Sequence, residues 1–414
     1  MIFNSDQFFT IIILVVVLDY ALNTVIDLLN FKKANSKLPD DLKDIFDEEK
    51  YHKAVQYQRV NTKFGLWSGL SSLVIMLLVL IFGILGDLDT FVRFHFDSVI
   101  SQTLAFFGIV YILNDIWNIP WQWYSTFKIE EKFGFNKMTP ALFWKDKLKG
   151  YLLTIIVGGI LLSVLVFLIT WIGQPFWWIF WLVITVFMIG ANFFYTSWIL
   201  PLFNKLVPLE EGSLREKIMD YGKSVNFPIE NIYIMDGSKR SSKANAFFSG
   251  FGKRKKIVLF DTLLEKHTEE ELVAILAHEV GHYKKKHTIS GLISGTLQTG
   301  AMLFIMSFMI FNPALSQALG AEQLSFPVNF IAFGIIYTPI SLILSLFSNF
   351  ISRKHEFQAD EFATITYNGA ALQNALKKLS VDSLSNLKPH KWYVFFHYSH
   401  PPLLQRLKAI DKHK

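Results

Sequence analysis

The sequence predicts a mainly α-helical, polytopic membrane protein with seven transmembrane helices and a small polar domain. Of its 414 residues 52% are hydrophobic and 16% aromatic, and the mean hydropathy is +0.34. This composition is too apolar for a soluble chain of this length. A membrane-spanning helix needs about 20 mostly apolar residues. Seven runs qualify: residues 8–29, 66–86, 98–120, 151–172, 176–200, 290–311 and 328–350.

The distribution of lysine and arginine predicts how these spans cross the membrane. Of the 40 basic residues, 8 lie between the first two spans, 6 between the third and fourth, 15 in residues 201–289 and 10 after residue 350. With seven spans, these four segments lie on the same side of the membrane. The positive-inside rule predicts that this side is the cytoplasm and that the N-terminus is outside. The net charge of +6 is therefore explained by topology. No nucleic acid partner is expected, because the basic residues are spread along the chain.

The absence of cysteine excludes disulfides, thiolate metal ligands and cysteine nucleophiles. Any metal ion must therefore be held by residues such as His, Asp or Glu. The lack of cysteine and the short loops favour a bacterial inner membrane as the location, with the endoplasmic reticulum as the alternative if the source is a eukaryote. Asp19, Asp27 and Asp115 lie within or near the spans, and each either faces a wet interior or is hydrogen-bonded to a neighbouring helix.

Four regions follow from these patterns: an N-terminal membrane region of five spans, a polar segment, the last two spans and a polar C-terminal segment, at residues 1–200, 201–289, 290–350 and 351–414. The two polar regions flank the last two spans, so we expect them to pack together on one membrane face.

Within the first polar segment, residues 213–227 are predicted to form a helix. Residues 231–235 and 256–260 have the pattern of short strands, and the glycines in 243–252 suit a turn between them. We therefore expect a small β-hairpin packed beside the helix that follows.

That helix carries His278-Glu279-Val280-Gly281-His282. Residues i and i+4 lie on one helical face, so His278 and His282 converge on one point, as a metal ion requires. Glu279 can reach a water on such an ion as a general base. Thr268 and Glu271 form a capping-box pattern, which predicts a helix over 268–286. The alternative is a surface helix that carries two histidines by chance.

A catalytic zinc site usually has three protein ligands, and the third is expected from a second helix after the last span. Glu356 and Asp360 have i,i+4 spacing, so Glu356 can bind the ion while Asp360 accepts a ring N–H of a ligand histidine. Asp360 and Glu361 compete as ligands, and a solvated acidic patch is the alternative reading. His287 lies five residues beyond His282, so we expect it to point away from the ligand face and into solvent.

Together, HEVGH, the sequence EFQAD after the last span and seven spans resemble the type I CAAX prenyl proteases, which are integral-membrane zinc metallopeptidases. Three further stretches are similar to motifs of that family: IEEKFGFNK at 129–137, SKANAFFSG at 242–250 and HYSHPPLLQR at 397–406. The resemblance covers essentially the whole chain.

The resemblance implies one zinc ion with His278, His282 and Glu356 as ligands, Glu279 as the catalytic base and Asp360 behind a ligand. It implies that Asn245 contacts the substrate backbone, and that His400 and Arg406 lie near the bound peptide or the developing oxyanion. The spans would form a barrel around a water-filled chamber. The expected partners are the lipid membrane and a peptide or protein substrate, either a prenylated C-terminus or, in a bacterium, membrane proteins generally.

Three other classes compete with this interpretation. A non-enzymatic seven-span transporter or receptor would leave the HExxH and ExxxD spacings as coincidences. An intramembrane protease of the site-two type carries HExxH inside an apolar span, whereas Lys284, Lys285 and Lys286 follow it here. The heat-shock membrane metallopeptidases share HExxH but lack the long N-terminal set of spans.

Overall fold

The computed structural model describes residues 3–34, 37–38, 43–227, 229, 231–249 and 256–413. Within them, seven helices are long and apolar enough to cross a membrane, as the sequence predicted. They are Ser5–Lys33, Glu48–Ile81, Val99–Phe133, Pro140–Ile172, Phe176–Phe203, His287–Met309 and a last helix that begins at Phe326 and runs to Ala363.

Four of these helices, the second, third, fourth and last, extend more than ten residues beyond the predicted spans. The third continues to Phe133 and so carries the first part of the EEKFGFN stretch. The last helix, Phe326–Ala363, hereafter the long helix, continues about three turns past residue 350 and carries Glu356 and Asp360. One continuous helix therefore connects the membrane region with the predicted third metal ligand.

The spans contribute little to the packed core. Only 6 to 22% of the most apolar window of each span is buried within the chain, so most of their side chains face lipid or an open interior. Asp115 is paired: its carboxylate accepts hydrogen bonds from Lys147 at 2.7 and 2.9 Å and from the Tyr151 hydroxyl. Of the two alternatives for Asp115, the structure therefore shows the second: its carboxylate is hydrogen-bonded to a neighbouring helix.

The polar segment forms a four-stranded mixed sheet, and the expected pairing of its strands is wrong. Both predicted strands exist, as β2 (Ile232–Met235) and β4 (Lys256–Phe260), but they pair in parallel. The region expected to be a turn contains another strand, β3 (Ala246–Ser249), which pairs antiparallel with β4. The strand β1 (Leu206–Pro208) completes the order β1-β2-β4-β3. The end of the predicted turn, residues 250–255, lies outside the described residues.

Shorter helices complete the fold. Most of them pack around the sheet and join the two polar regions, whereas Ile84–His95 and Pro313–Ala318 lie in the connections after spans two and six and pack in a separate hydrophobic cluster. The HExxH helix is Glu269–Lys284, and the others are Ile84–His95, Ser213–Ser224, Asp261–Leu264, Pro313–Ala318, Gly369–Asp382, Lys391–His397 and Leu403–Asp411. A single hydrophobic cluster packs the HExxH helix and the sheet against the C-terminal helices, through residues such as Leu276, Ile257 and Leu372. Tyr57 and Phe133 from the N-terminal region belong to the same cluster, so its core crosses the predicted boundaries.

Candidate metal centre

The HExxH helix is fixed at its N-terminus by the predicted capping box. Thr268 Oγ1 accepts a hydrogen bond from the Glu271 amide at 3.3 Å, and a Glu271 carboxylate oxygen accepts one from the Thr268 amide at 3.0 Å. Lys378 Nζ donates to that same carboxylate oxygen at 2.7 Å. From Glu271 to Gly281 every residue except Glu279 is buried. The helix therefore lies in the middle of the domain, which excludes the surface-helix alternative.

Close packing brings the HExxH helix and the long helix together beside the two histidines. A Cβ atom on Gly281 would lie 3.1 Å from Ala359 Cα and 3.2 Å from Ala359 O, closer than an ordinary van der Waals contact. Glycine inside the HEVGH stretch therefore permits the approach of the two backbones. Ala359 lies between Glu356 and Asp360 in the sequence, so this contact sets the distance from both carboxylates to the histidines.

Three side chains meet at the point where a metal ion would bind. His278 Nε2 is 3.1 Å from His282 Nε2 and 3.5 Å from Glu356 Oε2, and His282 Nε2 is 3.3 Å from Glu356 Oε1. Ligands about 2.0–2.1 Å from a tetrahedral ion are separated by roughly 3.3 Å. These three residues form the one group among the described residues whose ligand atoms could hold a metal.

The chemistry of these donors fits a divalent cation. Glu356 Oε2 is buried and accepts no hydrogen bond from the described residues, although Arg406 Nη1 lies 3.4 Å away. A buried oxygen in that state is stabilised by a further cation. Two histidine nitrogens that face each other at 3.1 Å cannot both present lone pairs without a proton or a metal between them. When both histidines are neutral, as metal ligands must be, the carboxylates of Glu279, Glu356 and Asp360 face one guanidinium, that of Arg406, which leaves a formal excess of two negative charges.

Asp360 lies directly behind His278. Its Oδ1 atom is 2.9 Å from His278 Nδ1, and the Arg406 guanidinium donates two hydrogen bonds to the carboxylate at 2.6 and 2.8 Å. Burial acts to lower the pKa of His278, but the contacts with Asp360 and Glu356 outweigh it and raise this pKa to about 9. Asp360 is thus engaged by His278 and Arg406. Glu361, the other competing ligand, is 39% exposed and 3.8 Å from His413.

His287 is not solvated, so this expectation was wrong. It is 7% exposed, and its Nδ1 atom lies 3.0 Å from His282 Nδ1. The HExxH helix ends at Lys284 instead of continuing to residue 286, and Lys286 has a positive φ of 60°. This reversal folds His287 back toward the site, a result that helical spacing cannot predict.

Two cavities meet at Glu279. One, of about 450 Å³, is lined by residues that include Asn245, His278, Glu356, His400 and Arg406. The other, of about 540 Å³, lies toward spans six and seven and is lined by residues that include Phe248, His287 and Ser348. Glu279 and His282 line both cavities. Desolvation by the surrounding protein raises the pKa of the Glu279 carboxyl above its usual value, which makes it a stronger base.

His400 and Arg406 occupy different positions relative to this site. His400 is on the open side: its side chain is 65% exposed and its Nε2 atom lies 3.3 Å from Glu356 Oε1. Arg406 is enclosed, with Nη1 3.4 Å from Glu356 Oε2 and two other nitrogens on Asp360. Asn245 is exposed at the cavity, just before the edge strand β3, which contacts the HExxH helix.

Sequence profiles of two adjoining families together match most of this chain. Residues 27–205 match the CAAX prenyl protease N-terminal region, which is described as five membrane helices. Residues 208–414 match peptidase family M48.

Curated relatives and a solved structure agree with these matches. The chain is 32% identical to CAAX prenyl protease 1 of Saccharomyces cerevisiae over 92% of its own length and 90% of the yeast protein. It is 33% identical to the human CAAX prenyl protease 1 homolog over the same shares of the two chains. The crystal structure of S. mikatae Ste24p superposes with a TM-score of 0.93 at 31% identity, covering 98% of this chain and 99% of that one.

Proposed function

The chain belongs to peptidase family M48 and is a multi-pass membrane metalloendopeptidase, and we propose that it uses one zinc ion held by His278, His282 and Glu356. The transporter or receptor alternative is not favoured. The observation that carries the zinc proposal is the convergence of the three ligand atoms around a buried Glu356 oxygen that lacks a hydrogen bond. The absence of cysteine and the presence of two imidazoles and a carboxylate fit zinc in a hydrolytic site.

In this mechanism Glu279 is the general base. Zinc would supply a Lewis acid that lowers the pKa of a water molecule and polarises the peptide carbonyl. Glu279 accepts the proton of the attacking water and later passes it to the leaving amine. Its position on the wall of both cavities gives it access to a substrate that crosses between them.

We assign different roles to the two candidates near the oxyanion. His400 is exposed at the cavity and close to Glu356, so it is the donor we expect at the developing oxyanion. Arg406 donates both of its short hydrogen bonds to Asp360. We therefore propose that Arg406 holds Asp360 against His278 and partly neutralises the buried carboxylates, rather than contacting the substrate.

The substrate peptide is proposed to bind in extended form along β3. This strand is at the edge of the sheet, with no further strand beside it among the described residues. Asn245, Ala246 and Phe247 line the smaller of the two cavities at Glu279, and Phe248 lines the larger. A peptide hydrogen-bonded to this edge would therefore pass Glu279 between the cavities. Such backbone pairing needs little sequence specificity.

We further propose that the substrate class is a prenylated protein C-terminus. A third cavity, of about 720 Å³, adjoins β3 between spans five and six. Its lining is largely apolar, with residues that include Phe187, Met188, Tyr195, Ile199 and Phe247. An isoprenoid chain attached near the scissile bond would be compatible with this surface. The relatives are named CAAX prenyl proteases, which supports the same substrate class.

The metal centre is proposed to face the cytoplasm, on a water-filled chamber enclosed by the spans. The basic residues concentrate in the segments on the side of the metal centre, and the positive-inside rule assigns that side to the cytoplasm. The low burial of the spans supports an open interior.

The test uses the purified full chain with a farnesylated Cys-a-a-X peptide and its unprenylated twin. We expect cleavage of the farnesylated peptide, loss with a chelator and recovery with zinc. Glu279→Gln should retain zinc and lose cleavage, while Glu361→Gln, a change at an exposed carboxylate, should retain both. Equal cleavage of the two peptides would overturn the prenylated substrate class, and a zinc-loaded, active Glu279→Gln variant would overturn the assigned base.

A further inference from the structure

The two candidate ligand histidines present the same ring nitrogen to the metal position. Both Nε2 atoms face each other and Glu356, so each Nδ1 atom points away and needs a partner of its own. For His278 that partner is Asp360. The partner of His282 is the residue that the helical pattern had excluded, His287.

The hydrogen bonds around His287 are consistent with one assignment of the ring protons on His282 and His287. If His282 Nε2 is to bind a metal, its Nδ1 atom carries the proton and donates it. His287 Nδ1, at 3.0 Å, then accepts that bond, which leaves the proton of His287 on Nε2. His287 Nε2 lies 2.9 Å from Gln358 Oε1, an acceptor. Every donor in this chain of bonds thus meets an acceptor, and it ends on the long helix two residues after Glu356.

Two further features hold the His287 ring in this orientation. The ring stacks on His355 with centroids 3.9 Å apart and planes inclined by 10°. The backbone before it is in an unusual conformation, since Lys286 is a non-glycine residue with φ of 60°, which costs free energy. The turn that brings His287 to His282 is therefore maintained against a local cost, as expected where the surrounding structure requires it.

We propose that His287 is a positioning residue that selects the metal-binding tautomer of His282 and raises the affinity of the site for the ion. It acts through a neutral hydrogen-bond chain, His282–His287–Gln358, whereas His278 is held by a carboxylate. Partners of this kind behind ligand histidines contribute about 10- to 100-fold in metal affinity. The inference rests on the proposed ligand set.

The test compares His287→Leu with His287→Asn in the detergent-solubilised full chain. Leucine and asparagine have nearly the same shape, but only asparagine places an acceptor where His287 Nδ1 lies. The affinity for Zn²⁺ is measured by competition with a chelator, and the absorption spectrum of bound Co²⁺ reports the ligand geometry. We expect His287→Leu to weaken binding by about 10- to 100-fold and to alter the Co²⁺ spectrum, while His287→Asn restores most of both.

The matched control is His267→Leu. His267 is also 7% exposed, but its ring nitrogen Nδ1 lies 3.2 Å from the Leu263 carbonyl oxygen and contacts no candidate ligand. The His267→Leu variant should have a lower thermal stability than the wild type and the same Zn²⁺ affinity. Equal affinity of His287→Leu and the wild type would overturn the proposal, as would equal losses in the Leu and Asn variants, which would indicate a packing effect. A wild type that binds no ion, or a Glu356→Gln variant that binds normally, would instead overturn the ligand set itself.

Discussion

Lys243 Nζ lies 2.9 Å from Glu130 Oε2 and so connects the segment before β3 with the end of the third span. The Tyr57 hydroxyl donates a hydrogen bond to Glu130 at 2.5 Å and accepts one from Lys243 at 3.0 Å. The Lys243 ammonium also lies 4.3 Å from the centre of the Phe135 ring. The EEKFGFN stretch thus holds the chain two residues before Asn245, at the entrance to the proposed substrate strand.

Glu130→Gln should therefore impair substrate use without loss of the metal. The ion pair is partly exposed, so it contributes up to about 1 kcal/mol, and we expect kcat/KM to fall by about fivefold. The zinc content should stay at the wild-type value. Glu131→Gln is the control, because its amide oxygen can still accept the hydrogen bond that Glu131 receives from Asn136. Loss of zinc in Glu130→Gln would show that this contact supports the metal centre instead.

Asp360→Asn should weaken metal binding. The change removes the negative charge behind His278 and one acceptor of the Arg406 guanidinium, so we expect about 10- to 100-fold lower Zn²⁺ affinity. Chelator competition measures it. Glu361→Gln alters the neighbouring, half-exposed carboxylate and should bind Zn²⁺ normally. If Glu361→Gln bound Zn²⁺ more weakly than Asp360→Asn, Glu361 would be the carboxylate that supports the metal centre.

Gly281→Ala should separate the two helices that carry the proposed ligands. The added Cβ would meet the backbone of Ala359 at 3.1 Å, and overpacking of this kind costs about 1–3 kcal/mol. We expect a lower thermal midpoint together with weaker Zn²⁺ binding. Gly150→Ala is the matched helical control, since its Cβ would meet nothing within 4 Å. A Gly281→Ala variant with normal stability and metal affinity would contradict the close packing.

Thr268→Ala should destabilise the protein without changing its chemistry. It removes the hydroxyl that accepts a hydrogen bond from the Glu271 amide at the start of the HExxH helix, which lowers the free energy of unfolding by about 1 kcal/mol. Denaturant or thermal unfolding should register the change, with kcat per bound zinc unaltered. Thr268→Ser keeps the oxygen and should be close to the wild type. A fall in kcat as large as the fall in stability would show that the cap also sets the active geometry.

Local patterns predicted most of the elements. The seven spans follow from runs of apolar residues, and the start of the HExxH helix follows from a capping box that involves residues three apart. The predicted pairing of the strands was wrong because the periodicity of a sequence identifies a strand but not the strand with which it pairs. β2 and β4 are joined by a long connection that contains β3, so they can lie parallel.

The sequence by itself determined the membrane class, the HExxH helix with its two imidazoles on one face, and the carboxylates four residues apart on a second helix. These properties depend on composition and on spacing within one turn, which backbone geometry fixes. The spacing already predicted that Asp360 would lie behind a ligand histidine. Only the tertiary structure decided that this histidine is His278, that Gly281 allows the two helices to touch, and that His287 turns back to His282. Those contacts join distant parts of the chain or follow a backbone reversal, and they arise from packing that no local repeat encodes.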